Sequence, residues 1–132
     1  GGTRTAAITG SFLALSFALG ALYKQENLPV FPVLDYLAAV SVGIVDGNVL
    51  LDLEYIEDFR AEVDMNVIMC GKGDLVEIQG TAEARPFSRE NLNTMLDLAA
   101  EGIGSLIERQ KNVLGEELCR LIEKRDEEVK TE

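Results

Sequence analysis

Histidine and tryptophan are both absent from this 132-residue chain. The missing imidazole excludes Ser-His-Asp and Cys-His nucleophilic machinery and every histidine-ligated metal centre. Sulfur is scarce too. Cys70 and Cys119 are the two cysteines, too few and too far apart for a disulfide framework or a zinc spacing, and that usage fits a reduced, cytoplasmic setting. Positive charge is the third shortage: twelve Lys and Arg stand against twenty-three Asp and Glu, a net charge of −11. Nucleic acid is held through basic groups, so RNA bound here would draw most of its positive surface from elsewhere.

What remains suits one domain with a real core, since 47% of the residues are hydrophobic. No charged side chain occurs from Thr5 to Tyr23. That run approaches the length of a membrane span, but Thr5, Thr9, Gly10, Ser11, Ser16 and Gly20 make it small and polar for one. A helix buried on all sides, with Leu15 and Leu19 in the core, is the expectation, and no membrane partner. Pro29 and Pro32 mark a connector. From about Tyr36 the period becomes two: Val40, Val42 and Ile44, an Asp46-Gly47 turn, then Val49, Leu51 and Leu53, with Asp52 and Glu54 pointing outward on the strand. A second hairpin is expected from Met65 to Gly80 around Gly71-Lys72-Gly73-Asp74. Ser88 and Glu90 then open an amphipathic helix carrying Leu92, Met95, Leu96, Ala99, Ile103, Leu106 and Ile107. The order is helix, four strands, helix: an α+β fold with a four-stranded, mostly antiparallel sheet packed by an N-terminal and a C-terminal helix. The pattern weakens at Gly115, so residues 1–115 form the main unit and 116–132 a charged helical extension.

Two groups of residues carry chemistry. Gly1-Gly2-Thr3-Arg4 precedes the uncharged run. Thr3 reads as a helix cap, and Arg4 would sit in the first turn, the wrong end of the macrodipole for a cation unless an anion lies there. The glycines would let backbone approach such an anion. Further on, seven acids and the single base Arg60 lie between Asp46 and Asp64. Asp58 and Asp64 stand at junctions; along one strand they would be roughly 20 Å apart, and they converge only if Phe59 to Val63 turns. Two such carboxylates can hold a divalent cation or split into an ionised and a protonated group.

Gly1-Gly2-Thr3-Arg4-Thr5-Ala6-Ala7-Ile8-Thr9-Gly10 resembles a signature of the ribonuclease PH family of phosphorolytic 3′→5′ exoribonucleases. The resemblance continues in order through Ala38 to Val45, Asp52 to Asp58, Ala61 to Val67, Glu77 to Glu83 and Phe87 to Glu90. It covers the second half of that family's chain, and this sequence opens in mid-motif without an initiator Met, as a fragment would. The resemblance implies a ribosomal-S5-domain-2-like half and phosphorolysis at the 3′ ends of transfer-RNA precursors. It also implies phosphate binding by Gly2, Thr3 and Arg4, and Asp58 and Asp64 as catalytic acids and Mg²⁺ ligands. The partners it implies are inorganic phosphate, RNA, the first half of the same protein and further copies in a hexamer built as a trimer of dimers. The departures are local. Phe59-Arg60 stands where the family usually has small residues, and Ala84 replaces a glycine. A bulky Phe59 and a charged Arg60 would reshape the acidic turn, so the competing reading is a non-catalytic, truncated or degenerate member acting as a structural subunit.

Overall fold

In a computed structural model that describes residues 2–131, the Asp46-Gly47 dipeptide takes positive φ at both residues, 49° and 77°. That conformation fits the right-handed twist of a two-residue hairpin and joins β1 (Leu37–Val45) to β2 (Asn48–Leu51). The second hairpin joins β3 (Val63–Cys70) to β4 (Leu75–Ala82). Together they form one antiparallel sheet in the order β2-β1-β3-β4. Alternation splits its two faces. Val40, Val42, Val67 and Met65 face a core completed by Phe12 of α1 (Thr3–Lys24) and by Met95, Ala99 and Ile103 of α3 (Arg89–Thr131). On the opposite face the register brings Ser41, Asn66 and Gln79 into one row and Gly43, Asp64 and Thr81 into the next. This second face carries the polar groups.

β2 pairs with β1 only from Val42 onward, so the outer edge of β1 before that point needs other partners. Thr9 of α1 supplies them: the Ala39 N–H donates to its Oγ1 at 3.0 Å, and the same hydroxyl donates to the Ala39 carbonyl at 3.3 Å. Gln110 of α3, buried, donates its Nε2 to the Leu37 and Thr9 carbonyls at 2.8 and 3.3 Å. The Asp52 N–H caps the Ser41 carbonyl at 2.7 Å.

Several expectations change here. α1 is not buried on all sides: Thr5, Phe12, Ser16 and Gly20 are its buried residues, and Leu15, Phe17 and Leu22 are exposed. The reason is that the sheet edge and α3 cover one side only, although by length and composition the helix could cross a membrane. Leu19 is partly buried against the core. β2 ends at Leu51, because Asp52 adopts a left-handed φ of 57° and turns the chain away, so Asp52 and Glu54 do not alternate along a strand. A six-residue helix, α2 (Tyr55–Arg60), then fills the connector. α3 is interrupted at Gly115 (φ 79°, ψ 167°), but Leu118 and Ile122 beyond it pack into the same core.

Gly43 is the tightest point of the sheet. A Cβ there would collide with the Val63 carbonyl and lie 2.6 Å from Leu53 Cδ1. Gly43→Ala is therefore expected to destabilise the domain by about 1–3 kcal/mol, whereas Gly10, with open space around it, accepts alanine with a gain in helix propensity. Urea unfolding of both variants checks this, and a wild-type midpoint for Gly43→Ala would show that β1 and Val63 are not so close.

Candidate phosphate and carboxylate site

The polar face bears Asp64 and receives the start of α1. Gly2, not Thr3, is the N-cap of α1, with φ 74°. The left-handed turn lets the Thr5 hydroxyl donate back to the Gly2 carbonyl at 2.9 Å, and Thr3 becomes the first helical residue, exposed. Gly1 lies outside the described residues. N–H groups of a first helical turn have no partner within the helix, so this end presents donors and a partial positive charge. A Cβ on Gly2 would stand 3.6 Å from Asp52 Oδ1 and 3.7 Å from Ser41 Oγ. Glycine thus keeps open a small polar cradle, in which the Ser41 hydroxyl is buried and has no hydrogen-bond partner among the described residues. An open cradle, an unpaired hydroxyl and first-turn donors fit an anion such as phosphate.

Arg4 does not simply project into solvent from the helix start. Its guanidinium reaches across the sheet to β4, with Nη2 2.6 Å from Glu77 Oε1 and Nη1 2.8 Å from Gln79 Oε1. That places its charge over the same face as Asp64, whose cross-strand neighbour Thr81 is two residues from Gln79.

Asp58 lies near enough to Asp64 for its charge to raise the Asp64 pKa, and α2 with a short extended link stands between them in place of the expected turn over Phe59 to Val63. α2 holds Asp58, with the Glu54 N–H donating to Glu57 Oε2 at 2.9 Å at its start. The chain then straightens at Ala61, and the Glu62 N–H donates to the Ile44 carbonyl at 2.7 Å as β3 begins. Burial pushes the Asp64 carboxyl above the ordinary carboxylate range, and the nearby charges of Asp58 and Glu83 push it the same way. Two acids in one another's field are a place for a divalent cation. Among the described residues no group of three or more His, Cys, Asp or Glu is gathered as a metal cage. A cation held by two carboxylates alone would have to keep several waters or draw on substrate phosphates, as Mg²⁺ does.

The two unusual residues of the turn stay out of the way. Phe59 is 81% exposed and stacks on Tyr55 at 6.5 Å between ring centroids. Arg60 is engaged with Asp46 at 3.1 Å on the β1–β2 turn. Glu77 and Gln79 beside Arg4, Ser41 beside Gly2 and Glu83 near Asp64 escaped the sequence reading as neighbours of these groups. Their signal was the alternation of Glu77 and Gln79 on a strand, which tells that they share a face but not which face.

Residues 35–102 match the 3′ exoribonuclease family, domain 2. The chain is 61% identical over 121 residues to ribonuclease PH of Moorella thermoacetica, covering 92% of this chain and 48% of that protein. It is 57% identical over 122 residues to ribonuclease PH of Bacillus subtilis, covering 92% and 50%. It therefore spans about half the length of the curated relatives it matches. Among solved structures the archaeal exosome core shares the fold, with a TM-score of 0.53 at 19% identity over 61% of this chain and 32% of that one. So does the Archaeoglobus fulgidus exosome with RNA bound to the active site, with a TM-score of 0.54 at 19% identity over 67% and 35%. With more than half of its residues inside the family's second domain, and that domain's fold around them, this chain belongs to the 3′ exoribonuclease family.

Proposed function

We propose that the chain is the phosphate- and carboxylate-bearing half of a phosphate-dependent 3′→5′ exoribonuclease that trims transfer-RNA precursors and releases nucleoside diphosphates. The observation that carries this reading is that the start of α1 and the Arg4 guanidinium meet the sheet face that bears Asp64, with the charge of Asp58 near enough to act on that carboxyl. In phosphorolysis an oxygen of inorganic phosphate attacks the last internucleotide phosphorus. The bond from phosphorus to O3′ breaks, the shortened RNA keeps a protonated 3′ hydroxyl, and the terminal nucleotide leaves as a diphosphate. Gly2, Thr3 and Arg4 hold the attacking phosphate, with first-turn N–H groups and the guanidinium offsetting its charge. Asp64, which binds a proton more readily than an ordinary aspartate, stands to protonate the leaving oxygen. Asp58 and Asp64 are also the residues that would hold Mg²⁺, Asp64 then serving as an ionised ligand instead of the proton donor, and the metal would supply neutralisation of charge at the transferring phosphoryl group. The outward Phe59 and the engaged Arg60 favour this reading over a degenerate scaffold.

The acidic balance of the chain makes the rest of the reading specific. Arg4 is held by Glu77, Arg60 by Asp46 and Arg85 by Glu62, so the RNA-binding charge belongs to a basic first half and to neighbouring copies in a cytoplasmic hexamer, a trimer of dimers. The solved A. fulgidus exosome carries RNA in its active site, in keeping with an RNA substrate for this fold. The test is to incubate the purified chain, alone and with a ribonuclease PH first half, with RNA ending in a free 3′ hydroxyl, Mg²⁺ and phosphate. Nucleoside diphosphates are expected only with both halves. Their absence with both would sink the reading, and vigorous release by this chain alone would overturn the placement of the RNA surface.

A further inference from the structure

We infer that Glu77 and Gln79 of β4 are positioning residues for Arg4, orienting its guanidinium for the phosphate. The inference rests on the phosphate reading of Arg4 and extends it to a strand more than seventy residues away in sequence. A guanidinium has five N–H donors in a rigid planar fork, and it recognises an oxyanion best when one edge is offered with two parallel donors. Here the two terminal nitrogens are separately engaged: Nη1 donates to Gln79 Oε1 at 2.8 Å and Nη2 to Glu77 Oε1 at 2.6 Å. Glu77 and Gln79 are alternate residues of one strand, so both point to the face that bears Asp64. One bond to each fixes both the position and the plane of the fork. Each terminal nitrogen has a second N–H, and Nε has its own, so donors remain for an anion beside those two contacts.

The pair is not built for stability. The Arg4 and Glu77 side chains keep 45% and 41% of their surface exposed, the setting in which ion pairs contribute least to folding. A long arginine at the start of a helix is otherwise repelled from the helix end and free to sample many rotamers. Anchoring it on β4 removes that freedom before phosphate arrives, which is what preorganisation requires.

The experiment uses the complete enzyme, both halves present, and measures KM for phosphate and for RNA separately in Arg4→Ala, Glu77→Ala, Glu77→Gln and Gln79→Ala. Glu77→Ala is expected to raise the phosphate KM about tenfold or more, with the RNA KM and the melting temperature unmoved. Gln79→Ala should act in the same direction, and Glu77→Gln, which keeps an acceptor, should recover part of the loss. If Arg4→Ala raises the phosphate KM but Glu77→Ala and Gln79→Ala leave it unchanged, the positioning role is wrong while the phosphate site stands. A phosphate KM that falls in Glu77→Ala overturns the role as well, because the carboxylate would then be a competitor for Arg4. If Arg4→Ala itself leaves the phosphate KM unchanged, the phosphate reading fails and the role falls with it.

Discussion

Replacing Asp64 with asparagine is expected to move activity and stability in opposite directions. In the complete enzyme the loss of a group that protonates the leaving oxygen should lower kcat by roughly 10²–10⁴-fold, with little change in the phosphate KM. Stability at neutral pH should rise. The folded-state pKa of Asp64 is raised by burial and by Asp58 and Glu83. Between the ordinary carboxylate pKa and that raised value, the folded chain therefore binds more protons than the unfolded one. Stability falls as pH rises through this window, and the full penalty persists above it. Asparagine cannot ionise, so the variant should lose that slope and gain most above the window, with no gain well below the ordinary carboxylate pKa. Thermal melts across pH, beside phosphorolysis assays, read both effects. A variant that is less stable at neutral pH, or that keeps wild-type turnover, would refute the assignment.

The largest stability effect is expected from Val42→Asp. Val42 is fully buried in the central strand, at 0% exposure, among Met65, Val67 and the helices. An unpaired carboxylate there costs several kcal/mol, comparable with the whole stability of a domain of this size, so the variant should fail to fold. Leu15→Asp is the contrasting case. Leu15 is 57% exposed, and a change at such a position usually shifts stability by about 0.5 kcal/mol or less. Circular dichroism melts of the two variants decide the matter: a folded Val42→Asp domain, or an unfolded Leu15→Asp one, would mean that the core lies elsewhere.

That contrast also shows where the sequence could be read and where it could not. Both hairpins were legible, because Asp46-Gly47 and the Gly71 to Asp74 turn interrupt clean alternation. The Ser88 start of α3 was legible as well, with its Oγ accepting the Asn91 N–H at 3.1 Å. The orientation of α1 was not, since a helix apolar all round carries no moment to say which side meets the sheet. α2 was missed because six residues hold too little periodicity to register, yet it is the element that carries Asp58. The departure at Phe59-Arg60 could not be placed in one dimension; in three, the ring points outward and the guanidinium is bound to Asp46. Arg4 was placed correctly at the helix start. Its partners were invisible because long-range pairing is set by the fold and not by local pattern.

The side-chain seal on the outer edge of β1 has a consequence for the birth of the protein. The strand is synthesised before α3, and Gln110, which covers the Leu37 carbonyl, follows it by 73 residues. Thr9 and Asp52 can cover Ala39 and Ser41 without it, but until α3 emerges from the ribosome and docks the Leu37 end of that edge stands open beside an apolar helix. Such an edge is a template for pairing with another chain, and nascent domains are most prone to aggregate while edges of this kind are uncovered. The vulnerable interval therefore ends when residue 110 has emerged and docked, later than the completion of the four strands.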